Sequence, residues 1–188
     1  MKIYFVSSNP GKIREVKQIL SKFGIKVETK RVELPEIKSE SQEEISKEKA
    51  RVASGLLNAP VIVDDTGIYF EAYTNFPGTN PKFVFFGIGY KGIFKLLKGE
   101  SRKAYFKTTV AYCEPGKEPV TFVGLCKGRI AEEVRGEIDE ELPYDNIFIP
   151  EGETRTFAEM SKEEKAKYSH RARALEKFAR WFLGRFKL

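Results

Sequence analysis

Ile3-Tyr4-Phe5-Val6-Ser7-Ser8-Asn9-Pro10-Gly11-Lys12 decides the fold of this 188-residue chain. The apolar run Ile3 to Val6 passes straight into a polar turn. Beyond it Ile13, Val16, Leu20 and Phe23 recur at three- and four-residue steps, so the stretch reads as a strand that turns into a helix. Such a junction can hold an anion, because the first N–H groups of a helix lack partners and the helix dipole is positive there. Ser7, Ser8, Asn9, Pro10, Gly11 and Lys12 form the candidate cradle. A Ser/Asn-capped turn with a solvated lysine is the plainer reading of the same residues. The Walker A pattern G-x-x-x-x-G-K-[ST] is absent, so the turn does not imply an ordinary ATPase.

Working outward, Val27 to Leu34 reads as a second strand ended by Pro35. Ser41 and Glu44 form a capping-box signature for a helix whose apolar face is Ile45, Val52, Ala53 and Leu56. Val61-Ile62-Val63 has the fully apolar character of a central strand and ends at Asp64-Asp65-Thr66-Gly67; Ile68 to Phe70 continues extended. Residues 75–81 read as a loop, and a short helix around Ile93 to Leu97 is bounded by Gly92 and Gly99. Lys103 to Glu114 and Pro119 to Ile130 alternate as two antiparallel strands joined by Pro115-Gly116-Lys117-Glu118. Tyr144 to Ile149 reads as extended. A last helix opens at the Ser161/Glu164 capping box and carries Tyr168, Ala172, Leu175, Ala179, Phe182 and Phe186 along one side. Strands alternating with helices, then a hairpin and a closing helix, predict an α/β fold: a mixed sheet flanked by helices, in one domain (1–188) of two lobes with a groove between them.

A composition of 41% hydrophobic and 32% charged residues is that of a globular domain with a real core, and excludes disorder. No apolar run reaches the roughly 20 residues that span a bilayer, and the N-terminus lacks a signal-peptide core, so the reading is cytoplasmic, with no membrane association. Cys113 and Cys126 have neither metal-site spacing nor a neighbouring histidine; they read as buried free thiols that face each other across paired strands. The net charge of +6 suits a nucleic-acid surface or a small polyanionic substrate. Acidic and basic residues alternate along most of the chain, which reads as a solvated charged surface; only the stretch from Lys165 is strongly basic, and the strand-end carboxylates Asp64 and Asp65 count against stable nucleic-acid binding.

Asp64 and Asp65 point opposite ways if the strand is regular, so at most one faces a given pocket unless the chain bends at Gly67. Carboxylates without histidine or thiolate neighbours are hard ligands suited to Mg²⁺ shared with substrate phosphates, and Glu36 offers a third. Each also reads as a turn or cap residue. His170, the one histidine, sits in Ser169-His170-Arg171 off the apolar stripe of the last helix, with Lys165 and Ser169 along one helix edge.

Ser7-Ser8-Asn9-Pro10-Gly11-Lys12, Leu34-Pro35-Glu36, Val63-Asp64-Asp65-Thr66-Gly67, Phe76-Pro77-Gly78, Tyr144-Asp145, Thr156-Phe157-Ala158-Glu159-Met160 and Glu164-Lys165 with Ser169-His170-Arg171 together resemble the Ham1 family, the inosine triphosphate pyrophosphatases. The resemblance implies an elongated Maf/Ham1-type fold, a homodimer, and Mg²⁺-dependent hydrolysis of ITP, dITP and XTP to the monophosphate and pyrophosphate. It further implies that the first turn, Ser7 to Lys12, binds the triphosphate, with Lys12 also catalytic, and that Glu36, Asp65 and Asp64 serve the metal. Asp65 would take the proton of the attacking water, with Thr66 beside it. Lys49 and Lys82 would contact phosphate or the opposite lobe, and Leu142, Pro143, Tyr144, Asp145, Lys165, His170 and Arg171 would enclose the base. Leu142-Pro143 departs from the family's Phe-Gly, Asn146 from its proline, and Thr79-Asn80-Pro81 from its aliphatic-tyrosine pair. A Maf-like pyrophosphatase acting on pyrimidine or modified nucleotides, and a non-catalytic nucleotide- or nucleic-acid-binding module, are the alternatives.

Overall fold

The computed structural model describes residues 3–35 and 37–185. Two sequence expectations, Glu36 as a metal ligand and Phe186 on the last helix, lie outside the described residues. The strands are β1 (Ile3–Val6), β2 (Val27–Lys30), β3 (Val61–Phe70), β4 (Pro77–Gly78), β5 (Lys103–Cys113), β6 (Val120–Ile130) and β7 (Phe148–Pro150). The helices are α1 (Pro10–Ser21), α2 (Gln42–Leu57), α3 (Pro81–Leu96), α4 (Lys162–Tyr168) and α5 (His170–Gly184). They build one mixed sheet in the order β2-β1-β3-β5-β6-β7, with β4 paired to β3. The β2-β1-β3 portion is parallel, and the pairs from β3 through β7 are antiparallel.

Three long strands carry the architecture. At roughly 3.3 Å per residue, β3, β5 and β6 each run for more than 30 Å, long enough to cross two separate cores. In one lobe, α1 and α5 cover Phe5, Ile62, Val110 and Tyr112 with Val16, Leu20, Leu175 and Phe178. On the opposite face α2 sets Ala50 and Ala53 against Val61, Val63, Ala111 and Cys113. In the other lobe Ile68, Phe70 and Phe106 pack with Ile93, Phe148 and Phe157. Between the apolar ends lie Asp64 to Gly67 on β3 and Thr108-Thr109 on β5, a polar belt that neither core absorbs.

Several local readings are corrected. The second strand stops at Lys30, short of Pro35. Asp64-Asp65 sits inside a continuous ten-residue strand, not at its end. Leu56 is 63% exposed, and α2 instead buries Gln42, Ser46 and Ser54 beside its apolar residues, because this face meets the polar belt. Only half of the α2 capping box forms: Ser41 accepts from the Glu44 N–H, while the Glu44 carboxylate takes the Ser39 hydroxyl. Pro81, read as the end of a loop, starts a helix that takes in residues 82–88, to which the periodicity assigns no element, and Gly89 at φ 58° kinks it. Residues 143–146 form a 3₁₀ turn, and only Phe148–Pro150 is strand. The single C-terminal helix is two, broken at Ser169, whose hydroxyl caps α5 by accepting from the Ala172 N–H. The break removes the shared helix edge expected of Lys165 and Ser169. Cys113 and Cys126 are both buried and free, but Cys126 pairs with Phe106, so the thiols do not face each other.

Candidate active site

The cleft opens where the sheet has a gap. β1 pairs with β3 only at Val61 and Ile62, and β4 pairs with it only at Ile68 and Tyr69. Residues 63–67 therefore present one edge with no neighbouring strand. That gap answers the puzzle of the two aspartates: the strand stays regular through Gly67, and the open edge is what allows Asp65 and Thr66, on opposite faces, to line one cleft of about 1190 Å³. Gly67 has a different task. A Cβ there would stand 2.4 Å from the Gly78 carbonyl, so glycine is required for β4 to close on β3.

The first turn supplies one wall. Asn9 caps α1, its Oδ1 accepting from the Lys12 N–H at 3.0 Å while its Nδ2 donates to the Glu141 carbonyl at 3.1 Å. Ser7 Oγ accepts from the Asn9 N–H at 3.2 Å. Pro10 has no N–H and Ile13 donates to the Asn9 carbonyl, which leaves the Gly11 N–H as the donor that the helix itself does not meet. Of the six turn residues, Asn9 and Lys12 line the cleft; Ser7, Ser8, Pro10 and Gly11 shape the turn behind them. Gly11 is small because Leu142 packs on it: an added Cβ would lie 2.8 Å from Leu142 Cγ. Leu142 thus covers the first turn with an apolar contact.

Lys12 and Arg171 converge on Asp64. Lys12 Nζ donates to Asp64 Oδ1 at 3.1 Å, and Arg171 Nε donates to Asp64 Oδ2 at 2.9 Å. Both oxygens of Asp64 are committed, so this aspartate, read from sequence beside the metal, instead anchors two cations. Burial alone would raise its carboxyl, but Lys12 and Arg171 outweigh burial and hold it below the ordinary range. Lys12 is pulled down mainly by its own burial, against the attraction of Asp64. Among the described residues Asp65 makes one ion pair, Oδ1 with Lys49 Nζ at 3.2 Å, and both residues line the cleft. Lys82 lines it too, from the first turn of α3, and pairs with Glu141 at 3.4 Å.

Leu142, Pro143, Tyr144 and Asp145 line the same cleft as His170 and Arg171. The 3₁₀ turn is held by Tyr144 Oη donating to the Pro81 carbonyl at 2.9 Å, and by Tyr90 Oη donating to the Pro143 carbonyl at 2.8 Å. Asn146, where the family resemblance led to proline, is fully buried and donates from Nδ2 to the Arg135 and Glu137 carbonyls. His170 stacks on Phe106 with centroids 4.3 Å apart, and its Nδ1 has no partner among the described residues. Burial, then Arg171 and Lys165, push its pKa well below the ordinary value, so the ring is neutral at pH 7.

Glu15 is the residue that sequence reasoning missed. It lies one turn beyond Lys12 on α1, a spacing that places both on one face and was the available signal. Its carboxylate joins Lys165 to Arg171, and Lys165 also pairs with Asp145; Arg171 reaches Thr66 Oγ1 at 3.1 Å. Lys165 therefore stands behind the cleft wall, where it neutralises Asp145. Burial acts to raise the Glu15 carboxyl, but Lys165 and Arg171 bring it down to about 2 from an ordinary 4.5. A depressed folded-state value means stability that is present above pH 4.5 and is lost as pH falls toward 2, worth about 3 kcal/mol across the window. Glu15→Gln is expected to flatten the fall in melting temperature over that pH range, with lower stability at pH 7; a parallel pH curve would show that Glu15 does not carry the dependence.

A capped turn with lysines, a carboxylate, and aromatic and cationic residues lining one cleft is the arrangement of an α/β protein that binds a phosphorylated small molecule between two lobes. The chain belongs to the Ham1 family, whose pattern matches residues 3–181. It is 54% identical to the dITP/XTP pyrophosphatase of Methanopyrus kandleri, over 97% of this chain and 96% of that one. Identity to the dITP/XTP pyrophosphatase of Saccharolobus solfataricus is 49%, over 95% and 92% of the two chains. Among solved structures, a HAM1 protein from Coxiella burnetii superposes with a TM-score of 0.79 at 25% identity, covering 98% of this chain and 99% of that one. The nucleoside-triphosphatase / dITP/XTP pyrophosphatase of Mycobacterium abscessus gives 0.69 at 31% identity, covering 95% and 98%. Family membership sets aside the Maf-like and non-catalytic alternatives.

Proposed function

We propose that this chain hydrolyses the deaminated purine nucleotides ITP, dITP and XTP to the monophosphate and pyrophosphate, clearing them from the nucleotide pool. One observation carries the reading: a single cleft at the open edge of β3 is lined by Lys12, Lys49 and Lys82 together with Tyr144, His170 and Arg171. Lys12 and Lys49 are placed to meet the phosphates, and charge gathering on the leaving pyrophosphate would strengthen their hold in the transition state. Of the two adjacent aspartates, Asp65 lines the cleft and is not locked between two cations, so it orients the attacking water and takes its proton. The unpartnered His170 Nδ1 and the N–H groups of Arg171 not used by Asp64, Glu15 and Thr66 supply the base-reading contacts. Donors there suit the O6 acceptor of hypoxanthine and xanthine and oppose the amino group of adenine.

Mg²⁺ belongs to the same reading. Hard carboxylate oxygen shared with substrate phosphates is the donor set that this ion takes, and Asp65 Oδ1 fits it, with Glu36 added by the family resemblance. When bound, the ion neutralises phosphate charge. A homodimer is proposed on the family's footing, supported by Phe83 and Phe86, exposed at 80% and 75% on one side of α3, where a second copy would cover them. A cytoplasmic location accords with the two free thiols; no described helix is long and apolar enough to cross a membrane.

A substrate panel tests the base reading. With Mg²⁺ present, kcat/KM for XTP and ITP is expected to exceed that for ATP by on the order of 10² to 10⁴. Equal turnover of all three triphosphates would remove the role given to His170 and Arg171.

A further inference from the structure

On the α2 side of the sheet, behind the cleft, three buried atoms have no hydrogen-bond partner among the described residues: Asp65 Oδ2, Thr109 Oγ1 and Gln42 Oε1. Their residues are 8%, 0% and 0% exposed. The fold brings them together. Asp65 and Thr109 stand directly opposite each other on β3 and β5, and Gly67 and Lys107 form the next pair on the same face. Helix α2 lies across both pairs, with Gln42, Ser46 and Lys49 on successive turns. Gln42 Nε2 donates to the Lys107 carbonyl at 3.2 Å, Ser46 Oγ donates to the Thr109 carbonyl at 3.2 Å, and Lys49 Nζ reaches Asp65 Oδ1 at 3.2 Å.

The chemistry of the three groups is complementary to one molecule. An ionised carboxylate oxygen and an amide oxygen only accept, whereas a hydroxyl can donate. A direct bond from Thr109 would satisfy one acceptor and leave the other buried and bare. A single water donates two hydrogen bonds and accepts one, which meets all three groups, and about three bonds is the usual complement of a buried water. Three protein oxygens, one of them from a carboxylate, fall short of the six or more that a hard cation takes, so the place suits a water.

We propose that Asp65, Gln42 and Thr109 enclose one ordered water, and that Gln42 and Thr109 are thereby positioning residues for the Asp65 carboxylate. Tied at Oδ2 from behind, Asp65 keeps Oδ1 turned to the cleft alongside Lys49. The kinetic part of this inference rests on the role given to Asp65 above; the water itself does not.

The test has two arms. A high-resolution crystal structure is expected to show a water within about 2.6–3.2 Å of all three atoms, and to show it gone in Thr109→Val, which keeps the shape of the side chain and removes the donor. In steady-state kinetics, Thr109→Val is expected to lower kcat about tenfold with KM changed by less than about twofold, while Thr109→Ser retains wild-type kcat. Gln42→Met, which deletes the amide acceptor, should show the same kcat loss, and the double variant should be no slower than either single one. A direct Thr109–Asp65 bond with no water would overturn the proposal. So would wild-type kcat in both Thr109→Val and Gln42→Met. Failure of the pyrophosphatase reading would appear differently, as loss of the wild-type activity with the crystallographic water still in place.

Discussion

Asp65→Asn lowers kcat by on the order of 10³-fold, leaves nucleotide affinity within a few-fold of wild type, and does not change the melting temperature appreciably. The asymmetry between the two adjacent aspartates is the reason. Asparagine has the shape of aspartate and keeps a hydrogen bond to Lys49, whose side chain is 26% exposed and stays hydrated when the ion pair is lost. What disappears is the basic oxygen facing the cleft. Asp64→Asn behaves in the opposite sense, because Asp64 is sandwiched between Lys12 and Arg171 and its loss strands two buried cations. Steady-state kinetics, calorimetric binding of a substrate and a thermal melt separate the two variants. Near-wild-type kcat in Asp65→Asn would withdraw its catalytic assignment.

Arg171→Met is the substitution with the largest expected effect on stability. Arg171 and Asp64 have side chains only 2% exposed, and the guanidinium also answers Glu15 and Thr66. Removing it leaves two carboxylates buried with fewer cations, and breaking a buried pair from one side costs about 3–5 kcal/mol. For a chain of this size each kcal/mol lowers the melting temperature by about 2–4 °C, so a fall of roughly 10 °C is expected. Activity falls with it, since Arg171 lines the cleft. A variant that melts like wild type while losing base selectivity would mean that the network behind the cleft is not structural.

The sequence carried the two-lobed α/β architecture because its periodicities are strong: the β1-turn-α1 junction, the alternation of β5 and β6, and the stripe through Ala172, Leu175 and Ala179 all form. It placed Lys12, Asp65, Tyr144, His170 and Arg171 around one cleft by motif. What it missed has physical causes. Residues 81–88 hid as a helix because Phe83, Phe85, Phe86 and Gly87 favour other conformations, and only Pro81 at the first turn signals the start. Ser169 sits in a helical pattern, yet its hydroxyl caps the next helix, a competition that periodicity does not register. The open edge of β3 depends on where β1 stops and β4 begins, a matter of register that no local pattern encodes. Gln42 and Thr109 acquire meaning only through partners distant in the chain, so nothing in their own neighbourhoods marks them, and Glu15 has only its spacing from Lys12.

The central claim is the bond that breaks. Phosphorus NMR of the products of XTP turnover by the wild-type protein with Mg²⁺ tests it most directly. Xanthosine monophosphate and inorganic pyrophosphate in equal amounts are the expected result; the diphosphate with orthophosphate would contradict the account.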